Sequence, residues 1–279
     1  MINLLKSMVG LKVNNEPKLN MVSKGKAMPY NVKVKVPGGW LALKELREGS
    51  KVIGPMGNIA SVTEVIPQGV TDCYKFIFED GREAVSHPLH LWEVYEGNSV
   101  APYVTTTADI IAHFNEFEYA IPLVGEISGA EKRIADEFVK DIAMMLIGER
   151  HTVNREIQEL HYQDRRAIAT AMRTNEGCVA SNGTVRYITE HKQSALNFQH
   201  LAWSVGGIAD LQKVEDGYVV TARHRDIEQD DIARFAASRL KIVGIVKEHP
   251  TETICINIDS EDKLFVVEDW IVTHNLCIN

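Results

Sequence analysis

Cysteine is scarce and scattered in this sequence. Its four cysteines, Cys73, Cys178, Cys255 and Cys277, form no CxxC pair, which argues against a structural zinc site and a disulfide framework. The ordinary role of such a residue is a small buried hydrophobe. Long apolar runs are missing as well: no stretch approaches the roughly 20 residues needed to span a bilayer. The start, MINLLKSMVGLKVNNEPKLN, has lysines but neither a sustained apolar region nor a small-residue cleavage site. Neither a membrane nor a secretory destination is expected, and the chain reads as cytoplasmic. Positive charge is not in excess, since 30 Lys and Arg stand against 38 Asp and Glu. That balance argues against a dominant nucleic-acid surface and leaves only a local one open. Internal repeats and low-complexity tracts are absent too.

What remains is an ordinary globular composition, long enough for one or two domains. From Asn31, the apolar Val32, Val34 and Val36 alternate with lysines and stop at Pro-Gly-Gly, predicting a half-buried strand. LALKELREGSKVIG runs through Glu48-Gly49 into a second strand. In YKFIFEDGREAV, Tyr74, Phe76 and Phe78 alternate and Asp80-Gly81 supplies a hairpin turn. Between residues 124 and 238 the texture changes. EKRIADEFVKDIAMMLIGER and YQDRRAIATAMRT carry helix-spaced apolar residues, and TVRYIT reads as a strand. QSALNFQHLAWSVGG reads as a helix stopped by Gly206-Gly207. ADLQKV and GYVVTAR pair across Glu215-Asp216-Gly217. From Arg239 the strand texture resumes in LKIVGIV, TICINID and KLFVVEDWIV. The pattern predicts a mainly β protein carrying an α/β insert.

Three segments acquire meaning together: VKVPGGWLALKELREGSKV at 34–52, EDGREAVSHPLHLWEV at 79–94 and TICINIDSEDKLFVVEDWIVTHN at 253–275. In order and spacing they resemble the conserved blocks of inteins, the self-splicing Hint-fold elements. The resemblance implies a β-rich horseshoe assembled from both chain ends. Residues 1–26 and 276–279 would flank it, 27–123 and 239–275 would form it, and 124–238 would be the insert. The implied activity is a single-turnover, autocatalytic peptide-bond rearrangement. It needs no cofactor, its partners are the flanking segments in cis, and a monomer suffices.

The implied chemistry can be followed residue by residue. An Asn side-chain amide can attack its own backbone carbonyl, forming a succinimide and cleaving the bond after it. Unaided this is slow, because an amide nitrogen is a poor nucleophile and the amine a poor leaving group. A neighbouring imidazole moves protons at neutral pH, and His274 stands beside Asn275. His90, in SHPLHLW, matches the family histidine that contacts the amide at the other junction and protonates its leaving nitrogen. Three residues earlier, where the family has Thr or Ser, stands His87. Either His87 donates itself or that hydrogen bond is lost.

The amino-terminal junction falls at Lys26–Ala27, and alanine has no nucleophile. Class 3 inteins begin this way and carry a Trp–Cys–Thr triplet, whose positions are filled by Trp92, Cys255 and Thr273. Cys255 would then attack the carbonyl of Lys26 to give a branched thioester. Trp92 would shape the pocket, and Thr273 would hydrogen-bond near the nucleophile or the developing oxyanion. Lys263 replaces a histidine that often assists Asn cyclisation. Leu276 stands where splicing requires Cys, Ser or Thr, with the first thiol one residue later at Cys277. Three readings stay open: Cys277 accepts the acyl group, the element cleaves without ligating, or the sequence has been altered to hold a precursor.

The insert, from RRAIATAMRTNEGCV through ADLQKV, resembles the second half of a LAGLIDADG homing endonuclease. In that family a carboxylate ends a packed helix and binds Mg²⁺ for DNA hydrolysis. Glu176 takes that place, where the family normally has Asp. A complete site needs two such carboxylates, and no first repeat is visible in 124–160. The insert is therefore expected to be degenerate, with Mg²⁺ and DNA involved only if it is active. Arg186, Lys192, Arg223 and Arg225 are the candidates to face phosphate.

Overall fold

A computed structural model describes residues 26–179, 184–223 and 239–274. It opens with β1 (Met28–Pro29), then the hairpin of β2 (Lys33–Val36) and β3 (Gly39–Ala42). Its Pro37-Gly38 turn places Gly38 at φ 76, a conformation that only glycine adopts without strain. β4 (Lys51–Ile53) precedes the 20-residue β5 (Ile59–Phe78), which turns at Asp80-Gly81 into β6 (Glu83–Ser86). β7 (Leu91–Glu96), β8 (Tyr103–Thr106), α1 (Thr107–His113) and β9 (Tyr119–Pro122) follow.

The middle of the chain supplies α2 (Asp136–Leu146), α3 (Arg155–Gln158) and α4 (Tyr162–Glu176). Then come β10 (Gly177–Val179), β11 (Val185–Thr189), α5 (Lys192–Ser204), β12 (Ile208–Val214) and β13 (Gly217–Arg223). The chain returns with the 20-residue β14 (Arg239–Ile258), β15 (Leu264–Val267), a 3-10 turn at Glu268–Trp270, and β16 (Ile271–His274).

Twelve strands join in one antiparallel sheet along the path β3-β2-β15-β16-β7-β9-β14-β5-β4, with β1, β6 and β8 attached at its sides. Strands from before and after the insert interleave along this path, so the sheet cannot close until both ends are present. β5 and β14 pair from Val62–Ile258 to Phe78–Ile242 through four register shifts. Such bulges bend and twist a long ribbon, which lets β14 meet β1, β5 and β9 in turn. β10–β13 make a separate four-stranded sheet, ordered β10-β11-β13-β12. Helices α2, α4 and α5 share its apolar core through Val139, Leu146, Ile168, Met172 and Phe198. The architecture is thus mainly β, with an α/β unit between its two halves.

Burial of charge departs from the strand pattern in two places. The alternation around Lys35 places its side chain toward solvent, yet Lys35 is 2% exposed. It forms an ion pair with Glu159 and lies over the Trp40 and Trp270 rings. Burial lowers its pKa, and Glu159 opposes that shift. The Asp80-Gly81 hairpin turn forms as expected, but it is not a solvated tip: Asp80 and Arg82 are both buried and pair at 2.9 Å. Arg82 also donates to the Gly207 carbonyl, and Asp80 accepts from the Ala209 N–H. Periodicity misplaced these charges because the α/β unit covers that face.

Candidate functional site

The site begins where β1 lies against β14. Met28 pairs with Ile254 and Pro29 with Thr253, so one step outward in the same register sets Ala27 beside Cys255. Those two residues are fully buried and form a small cluster with Ile66 of β5. The Cys255 thiol therefore sits in a dry pocket against the first residue after Lys26. From another side, the Ala27 carbonyl accepts the backbone N–H of His87 at 2.9 Å. The His87 ring Nδ1 accepts the N–H of Leu89 at 3.0 Å, closing the turn that leads to His90. His87 thus meets Ala27 through its main chain.

His90 is completely buried just before β7. Its Nδ1 lies 3.3 Å from the Lys26 carbonyl oxygen and its Nε2 lies 2.6 Å from Thr273 Oγ1. A carbonyl oxygen only accepts, so Nδ1 carries the proton and Nε2 accepts from the threonine hydroxyl. Burial pushes the His90 pKa down to about 3; the Lys26 carbonyl opposes this, while His274 and His87 add to it. The ring is accordingly neutral, and Thr273 fixes its tautomer. Thr273 is linked to the Lys26 carbonyl through His90.

Trp92 packs edge-on against His90, with centroids 5.1 Å apart at 73°, and against Phe76 at 5.3 Å. Its indole N–H donates to Thr107 Oγ1 at 3.0 Å, and that hydroxyl meets Ser86 Oγ at 2.9 Å. The Thr107 N–H in turn donates to the His90 carbonyl at 2.9 Å. Sequence reasoning missed Thr107 and Ser86. Thr105, Thr106 and Thr107 run together at the start of α1; Thr106 caps the helix, accepting from Asp109 N at 3.0 Å, while Thr107, its first residue, is buried. Nothing in the residue types separates the capping threonine from the buried one.

β16 delivers the last elements. It pairs with β15, placing Thr273 opposite Phe265, and meets β7 at His274–Leu91. His274 is 6% exposed, and its Nδ1 is buried without a hydrogen-bond partner among the described residues. Burial lowers its pKa to about 4; the Lys26 and Lys263 charges add to this and Asp262 opposes it. The geometric link between Lys26 and β16 is His90, which bridges the Lys26 carbonyl and Thr273. Lys263, at φ 56, donates to the Ile258 carbonyl at 2.8 Å. Asn275, Leu276 and Cys277 lie outside the described residues.

In the α/β unit, Glu176 closes α4 and Gly177 opens β10. Arg223 pairs with Glu79 at 2.8 Å, which ties it to the large sheet. Arg186 and Lys192 are exposed, and Arg225 lies outside the described residues. Among those residues no three His, Cys, Asp or Glu side chains are grouped to hold a metal ion. No helix among them is long and apolar enough to cross a membrane.

No protein-family model and no curated protein matches the chain. Solved structures similar to it include the Ssp DnaB Mini-Intein variant M86, at 9% identity and TM-score 0.42 over 91% of this chain and 96% of that one. The Msm DnaB1 intein splicing domain bound with zinc matches at 12% identity and TM-score 0.38, over 89% and 100%. The gp41-1 intein matches at 13% identity and TM-score 0.38, over 89% and 98%. Likeness at that level is loose, and the chemistry rests on the geometry above.

Proposed function

We propose that the chain is an intein-type protein-splicing element of the class 3 kind, acting on the Lys26–Ala27 and Asn275–Leu276 bonds. The observation that carries this reading is the link from the part-buried Lys26 carbonyl through the buried His90 to Thr273, with Cys255 packed on Ala27. A satisfied core histidine can bond in this way; what supports a reaction here is that the carbonyl His90 faces precedes Ala27, on which the Cys255 thiol is packed.

In the first step Cys255 Sγ attacks the Lys26 carbonyl carbon. The Lys26–Ala27 C–N bond breaks, a thioester forms, and the thiol proton ends on the departing Ala27 nitrogen. The His90 Nδ1–H stands at the oxygen where negative charge develops. Removing one such donor costs roughly 3 kcal/mol, whereas holding the reactants together supplies ~7–11 kcal/mol. Proximity is the larger contribution, so the register of β1 on β14 matters more than any single hydrogen bond.

In the second step the Asn275 side-chain nitrogen attacks its own carbonyl carbon. The bond to Leu276 breaks, and the chain ends in a succinimide. His274 moves the proton that the Leu276 nitrogen must gain. With Leu276 in place of a nucleophile, Cys277 is the nearest group able to take the acyl chain before that release.

Incubating the purified chain and weighing the products tests the reading. Cys255→Ala is expected to slow cleavage at Lys26–Ala27 by at least ~10³-fold, and cleavage at the parent rate sinks the mechanism. Joined 1–26 and 276–279 segments in the parent digest mean ligation, and separate flanks mean cleavage alone.

A further inference from the structure

We propose that the α/β insert is a working part of the splicing site: through Arg165 and His200 it holds the Glu268–Trp270 turn, and thereby positions Thr273 and His274 on β16. The inference rests on the splicing reading for its functional consequence, and on packing alone for the clamp.

The turn needs holding. Asp269 and Trp270 have φ values of 57 and 59, so two consecutive residues with side chains occupy the left-handed region. Such a conformation persists only when its surroundings over-determine it. Trp270 is fully buried and stands three residues before Thr273. A rotation at this turn is passed directly along β16 to the hydroxyl that fixes His90.

The surroundings come from two sources. On the large sheet, Trp40 meets the Trp270 ring edge-on at 5.4 Å, and Arg82 donates to the Asp269 carbonyl at 3.3 Å. From the insert, the Arg165 guanidinium of α4 lies 5.1 Å from the Trp270 ring centroid. His200 of α5 accepts the Trp270 indole N–H at 3.4 Å.

Arg165 is itself immobilised. Its Nε donates to Ser204 Oγ at 3.1 Å, and one terminal nitrogen donates to the carbonyls of Gln158 and Leu160 at 2.8 and 2.7 Å. The other donates to the carbonyls of Ile127 and Ser204 at 2.6 and 3.0 Å. All five donors are committed in the plane of the group, leaving its flat face for Trp270. A buried arginine spent wholly on main-chain carbonyls and one hydroxyl is a rigid plate, and the Trp270 ring is what it is set against. Lysine could supply charge there but not the fork that holds the plane.

The test uses the full chain and two variants, Arg165→Lys and His200→Phe. Two readouts are compared: cleavage rates at both junctions, and amide hydrogen exchange at 271–274 against that of β5 and β14. Arg165→Lys is expected to slow both junctions together by roughly ten-fold or more, because misplacement of about 1 Å costs up to ~10²-fold. It should also raise exchange at 271–274 while β5 and β14 keep their protection. His200→Phe, which keeps a ring and loses only the acceptor, should do the same to a lesser degree. Parent rates with unchanged exchange at 271–274 in both variants overturn the proposal. So does a protection loss spread evenly over β5, β14 and β16, since Arg165 would then stabilise the whole chain and position nothing. If the parent chain yields no product, the splicing reading fails, and the exchange comparison still decides the clamp.

Discussion

His90 and His274 sit on neighbouring stretches of one sheet, both buried and both neutral, yet they are equipped differently. Each ring nitrogen of His90 has a partner, the Lys26 carbonyl on one side and the Thr273 hydroxyl on the other. His274 keeps a buried Nδ1 that no described residue satisfies. Leaving such a nitrogen unpaired in the interior costs about 1–3 kcal/mol, a penalty that folded cores avoid and working sites tolerate. Under the proposed mechanism the contrast fits different duties. His90 is locked in one tautomer to hold a fixed hydrogen bond, while His274 retains a nitrogen free to exchange a proton beside the residue expected to cyclise.

Swapping each histidine for alanine is the strongest way to break this contrast. His90→Ala should slow the Lys26–Ala27 junction by ~10²–10⁴-fold, and His274→Ala should do the same at Asn275–Leu276. Timed mass spectrometry reads both bonds in one sample. If either variant slows the two bonds equally, the histidines share a single network and their separate duties are wrong.

Much of this was legible in the residues, for physical reasons that can be named. Strand alternation and the Gly-rich turns mark the sheet, because side-chain period and left-handed backbone leave direct traces in residue type. His90, Trp92, Cys255 and Thr273 were singled out by resemblance to intein blocks, and the structure brings His90 into contact with both Trp92 and Thr273. Register was not legible: the placement of Cys255 against Ala27 follows from β1 on β14, a pairing across more than two hundred residues. Nor were the buried charges. Strand alternation set Lys35 outward, and nothing in the residue pattern marked Asp80, Arg82 or Arg165 as buried, because periodicity along one element carries no information about what covers it. Thr107 escaped for the same reason, lying beside two other threonines with nothing in the residue types to set it apart.

Acid should expose the two histidines as a stability effect. Their folded pKa values of about 3 for His90 and about 4 for His274 lie below the ordinary 6.5. Between those limits the unfolded chain binds more protons than the folded one, so stability is full above 6.5 and lost as pH falls. Each group contributes a slope approaching ~1.4 kcal/mol per pH unit. Denaturant unfolding of uncleaved Cys255→Ala/Asn275→Ala chain at pH 7, 5.5 and 4.5 measures the total. Adding His90→Gln should reduce the slope by one histidine's share. An unaltered slope means that His90 is solvated and the buried link to Lys26 does not form.

The smallest expected effect separates the two histidines most cleanly. Thr107 touches only the His90 side, accepting the Trp92 indole N–H and meeting Ser86. Thr107→Val preserves the shape of the side chain and removes the oxygen, stranding two buried polar groups at about 1–3 kcal/mol. The Trp92 ring is then free to tilt, and His90 loses the edge that sets its plane. The Lys26–Ala27 junction should slow by roughly ten-fold while Asn275–Leu276 keeps its rate, and Thr107→Ser should restore the first. The Trp92 indole N–H resonance supplies the check: it should move in the valine variant and return in the serine one. Loss at both junctions, or a serine variant as slow as valine, would reduce Thr107 to a packing residue. His90 would then owe its orientation to Thr273 and Lys26 alone.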